Sequence, residues 1–156
     1  MSTKINRFLE IFRWVGVAIG IFFAFYWGAN PQSQFNIFAV FTVVFIAGFT
    51  AIEGLFFSES ASEVSGYSGG GAYQRQSSLQ FLALTVTMIL SLILGWGFYA
   101  YLSLLIFMLI FLTVSSLNHL YNGFKEGFVL NSFLRPILTL FLWAITLFFI
   151  LPALNI

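Results

Sequence analysis

From residue 79 to residue 117 the chain carries no charged side chain at all. A helix crossing a hydrocarbon layer of about 30 Å needs only about 20 mainly apolar residues, so this run is too long for one span. Gly95, Trp96 and Gly97 stand in its middle and supply a turn together with an aromatic ring suited to a membrane interface. Two spans are expected, 79–94 and 98–117.

The same reading gives three more. The run 12–28 closes on Ala29, Asn30 and Pro31, and the proline disfavours helix at Asn30. Residues 35–57 form a second run, interrupted only by Glu53. The last, 133–151, has Pro136 in its first turn, where a missing amide is harmless, and Pro152 at its end. The expectation is an all-α fold: one integral membrane domain over 1–156, a polytopic transmembrane bundle of about five spans with a polar loop at 58–78. Composition agrees. With 60% hydrophobic side chains and only 6 basic and 5 acidic ones, the chain cannot clothe the surface of a water-soluble domain of 156 residues. A net charge of +1 and no basic run exclude nucleic acid as a partner. The lack of cysteine removes disulfides, iron–sulfur clusters, thiolate metal sites and cysteine nucleophiles.

Basic residues resist translocation, so their placement predicts orientation. With the N-terminus in the cytoplasm, Lys4, Arg7, Arg13, Arg75, Lys125 and Arg135 all fall on the cytoplasmic side, and the C-terminus lies outside. The expected location is the cell (inner or plasma) membrane, with multiple passes. Ile5, Phe8, Leu9 and Phe12 recur at helical spacing beside Lys4, Arg7 and Arg13, which suggests an amphipathic lead-in at the interface. Trp27 stands where a signal cleavage would want a small residue, so the first run is expected to be retained as a span.

In the loop, Gly69, Gly70 and Gly71 are not followed by Lys-Ser or Lys-Thr, so they read as a flexible turn and not as a phosphate loop. Glu59 and Glu63, four apart, suggest a short surface helix ahead of them.

Polar residues inside spans carry the functional information. Thr50 and Glu53 lie one turn apart. Gln76, Gln80, Ala83, Thr87 and Ser91 share one helical face, and Ser115, Asn118, His119 and Asn122 recur at helical spacing. All of these except the far end of the glutamine stripe sit toward the cytoplasmic helix ends. The candidate site is a cytoplasm-facing polar pocket of Glu53, Gln76, Gln80, His119 and Asn122, with Arg75 or Arg135 holding Glu53 ionised or binding an anionic group. Glu53 is suited to exchanging a proton, and His119 is the one imidazole of the chain. The plainer alternative is that Glu53 pairs with an arginine while the Gln and Asn amides hydrogen-bond between helices. A single histidine and no aspartate argue against heme or a carboxylate metal site, and no Gly-x-Ser-x-Gly motif is present, so neither metal nor cofactor is expected. Gly16 and Gly20, four apart, form a small face that permits close approach of another helix, in this chain or another.

Glu53, then Tyr73-Gln74-Arg75-Gln76-Ser77 entering an apolar helix, then Asn118-His119 and a Gly- and Asn-containing connection ahead of Pro136, together resemble an uncharacterised family of small bacterial and archaeal multi-span membrane proteins. The resemblance covers residues 48–142. It implies Glu53, Gln74 and His119 as matching positions and brings no established activity with it.

Three function classes follow. The leading expectation is a non-catalytic integral membrane protein that acts by association, as a homo-oligomer or a small subunit of a larger membrane complex, with lipids and other membrane subunits or itself as partners. The alternative is a small transporter or channel for protons or a small polar or anionic solute. A membrane enzyme acting on lipid or quinone comes last, since no recognised motif accompanies Glu53 and His119.

Overall fold

The computed structural model describes residues 2–58, 71–126 and 130–155. They form five helices: α1 (Ser2–Trp27), α2 (Pro31–Phe56), α3 (Gly71–Ile93), α4 (Phe98–Glu126) and α5 (Leu130–Ala153). Each is long and apolar enough to cross a membrane, and there is no strand among the described residues. The fold is all-α.

The expected breaks fall where the backbone chemistry demands them. Pro31 opens α2, and the Asn30 side chain accepts the Ser33 N–H at 2.8 Å as an N-cap. Between α3 and α4, Gly95 (φ 65°) and Gly97 (φ 84°) take left-handed conformations that a side chain would strain. Elsewhere the helices outrun the apolar runs. The amphipathic lead-in continues into the first span as one helix from Ser2, and α3 begins at Gly71, inside the expected loop. Polar residues end a hydrocarbon segment without ending a helix, because only glycine and proline disrupt the backbone strongly. Glu59, Glu63, Gly69 and Gly70 lie outside the described residues.

The short turns at 28–30 and 94–97 make α1–α2 and α3–α4 antiparallel neighbours. Side-chain contacts fix the remaining registers. Gly54 lies against Ser78 and Gly48 against Thr85, so α2 and α3 run antiparallel. Thr113 meets Trp143, which sets α4 against α5. α2 is the hub and touches the other four helices. Around it α1 meets α5 through Trp14–Phe141 and Phe25–Phe149, α5 meets α4, and α4 meets α3 through Phe81–Phe111. Phe35, Phe38 and Val43 of α2, Met88 of α3, and Leu105, Met108 and Leu109 of α4 are fully buried in the resulting core.

Two glycine contacts explain how closely the hub is packed. A Cβ on Gly16 would fall 2.0 Å from Phe45 Cγ, and one on Gly20 would fall 2.6 Å from Phe41 Cβ. The Gly16–Gly20 face is therefore occupied by α2 of the same chain. On the opposite flank of α2, a Cβ on Gly54 would fall 1.6 Å from Ser78 Oγ. Outward, Phe22, Trp27, Ile93, Tyr99, Leu140 and Phe148 are all exposed, as lipid-facing side chains are.

Candidate functional site

The alternating helices bring the start of α1, the end of α2, the start of α3, the end of α4 and the start of α5 to one end of the bundle. Three of the candidate polar residues, Glu53, His119 and Arg135, take part in two separate pairs at this end.

The first pair ties α1 to α2. Arg13 donates through Nη2 to Oε2 of Glu53, and both side chains are partly buried, 19% and 16% exposed. Each charge alone would be costly so close to hydrocarbon, and each supplies the neutralising partner of the other. The partner is thus Arg13, where the sequence reading looked to Arg75 or Arg135. In sequence Arg13 belongs to the amphipathic lead-in. Two helices joined by a short turn are antiparallel neighbours, and Arg13, 17 residues before Asn30, lies within reach of Glu53, 22 residues after Pro31, only because the arginine side chain is long.

The second pair ties α4 to α5. His119 is buried at 8% exposure, and Arg135 donates to its Nε2. A guanidinium has only N–H donors, so the imidazole nitrogen acts here as acceptor. One turn further along α5, Thr139 Oγ1 donates to the Arg135 carbonyl at 2.9 Å.

The remaining candidates do not converge with these pairs. Gln76, Gln80 and Arg75 are exposed on the outside of α3. The glutamine stripe winds from the outer surface at Gln76, Gln80 and Ala83 to the interior at Ser91, whose hydroxyl donates to the Met88 carbonyl at 2.8 Å. The side chain of Asn122 lies outside the described residues. Gln74, matched by the resemblance, accepts through its backbone carbonyl from Ser78 Oγ at 2.8 Å.

One polar link between helices was not anticipated. Trp143 Nε1 of α5 donates to Thr113 Oγ1 of α4 at 3.0 Å, and Thr113 donates onward to the Leu109 carbonyl at 2.7 Å. Trp143 sits in an apolar run, where nothing in the sequence marks a polar partner.

A groove of about 360 Å³ between α1 and α5 is lined by Ile21, Phe25, Ala144, Ile145, Phe148 and Phe149. A gap of about 10 Å³ between α3 and α4 is bordered by Gln80, Phe81, Leu84, Phe107, Met108 and Phe111. Of the described residues, neither Glu53 nor His119 lines that groove or that gap. Among the described residues no three His, Cys, Asp or Glu side chains group as metal ligands would.

Comparison with protein-family models, curated proteins and solved structures finds no match to this chain.

Proposed function

We propose that this chain is a non-catalytic membrane protein that acts by association, seated in the cell membrane with its N-terminus and polar end in the cytoplasm. The observation that carries this reading is the pairing of Glu53 with Arg13 and of His119 with Arg135. A proton carrier or an acid–base catalyst needs its titrating group open to substrate or water. Here the two best candidates are engaged by arginines and serve to join α1 to α2 and α4 to α5. The orientation rests on the basic residues, which in sequence all belong to helix ends or connections on the side of the N-terminus.

The glycine face on α1, which first suggested a partner helix, is satisfied inside the chain by Phe41 and Phe45. The association reading rests instead on the outer surface, where exposed polar side chains on α3 have lipid as their alternative.

The test is purification from membranes in mild detergent or nanodiscs, with the mass of the particle measured. An assembly larger than one 17.6 kDa chain is expected. A solitary chain would contradict the proposal, as would solute or proton flux in reconstituted vesicles that Glu53→Gln abolishes.

A further inference from the structure

We infer that the outer flank of α3 is a self-association face, on which Gln80 of one copy meets Gln80 of a second copy of this chain. This rests on the association reading above and gives it a partner and a surface.

Depth comes first. From Gln80 to Ile93, at about 1.5 Å per residue, is about 20 Å of helix. With the Gly95–Gly97 turn at one face of a hydrocarbon layer about 30 Å thick, the Gln80 amide lies about 10 Å inside the other face. Phe81, its neighbour, packs on Phe111 in the middle of α4, which agrees with that depth. Glutamine lacks the long stem with which Lys and Arg reach the interface, so an exposed Gln80 faces lipid that offers no hydrogen bond.

The fold leaves this flank open. α3 packs its inner face on α2 through Ser78 and Thr85, and meets α4 through Phe81. Gln76 and Gln80, four apart, and Ala83, three further on, are exposed along the flank beside α4, where Gln80 also borders the narrow gap to Phe107 and Phe111. Ala83 is small, so a second helix can come close directly beside the Gln80 amide.

The chemistry selects the occupant. Copies of one chain insert with the same orientation, so a two-fold axis along the membrane normal puts every residue at the depth of its own counterpart. A side chain on such an axis must be complementary to itself. The glutamine amide is, because its carbonyl accepts and its NH₂ donates, and two amides facing each other exchange reciprocal hydrogen bonds. No charge has to be desolvated to form the contact.

The chain has no cysteine, so each introduced cysteine reports on one position alone. Gln80→Cys and Ala83→Cys, oxidised in native membrane vesicles, are expected to give disulfide-linked dimers. Ile89→Cys, on another exposed face of α3, and Leu140→Cys on α5 are expected to stay monomeric. In the otherwise unmodified chain, Gln80→Leu is expected to shift the monomer–dimer equilibrium toward monomer by about threefold to tenfold, the range measured for hydrogen bonds between membrane helices. Crosslinking at Ile89 or Leu140 in place of Gln80 and Ala83 would overturn the α3 face while leaving association intact. Unchanged dimerisation of Gln80→Leu would overturn the role of the amide. No crosslink at any position, with one chain per particle, would remove both this inference and the association reading.

Discussion

Arg13 on the first helix and Glu53 on the second form an ion pair that ties α1 to α2, the hub of the bundle. The pair is partly buried, so its loss should cost more than an exposed pair and less than a fully buried one. Removing either partner strands a charge near hydrocarbon. Arg13→Ala and Glu53→Ala are each expected to destabilise the bundle by about 1–3 kcal/mol. The double variant should lose clearly less than the two single losses combined, because it leaves no orphan charge. Unfolding in detergent followed by circular dichroism measures the cycle, and strict additivity would show that the pair does not couple the helices.

Close packing of α2 on α3 depends on the hydrogen at Gly54. Gly54→Ala places a Cβ against Ser78 Oγ and is expected to cost about 1–3 kcal/mol through forced separation of the two helices. Ser78→Gly in the same chain removes both offending side-chain atoms and should recover most of that loss. A Gly54→Ala variant as stable as the parent would contradict the described register of α2 and α3.

Trp143→Phe keeps the aromatic bulk of α5 and deletes the donor to Thr113. Thr113 retains its own bond to the Leu109 carbonyl, so no buried hydroxyl is orphaned, and the expected loss is about 0.5–1.5 kcal/mol. A larger loss, or none, in thermal unfolding would show that the link does not hold α4 to α5 as described.

The elements of the fold were legible because their signals are local. Asn30-Pro31 and Gly95-Trp96-Gly97 break the apolar runs by their own backbone preferences, and a charge-free stretch long enough to cross a bilayer needs no tertiary information to be seen. Helix ends were less legible, since Gln74–Gln76 and Leu120–Tyr121 lie beyond the apolar runs yet continue the helices. The site was legible only in membership. Glu53, His119 and Arg135 were singled out, but which arginine meets which partner depends on helix order around α2, and periodicity along one helix does not carry that order. Gln80 shows the same gap. Its spacing put it on a polar face, and only the packing of Ser78 and Thr85 on α2 turns that face outward.

The proposed function is association with another copy, in place of passage or conversion of a solute. Single-molecule subunit counting in native membrane vesicles, with one fluorophore per chain, tests it most directly. Mainly two bleaching steps per particle are expected, reduced toward one by Gln80→Leu at low density. One step per particle at every density, in the parent chain as in the variant, would contradict it.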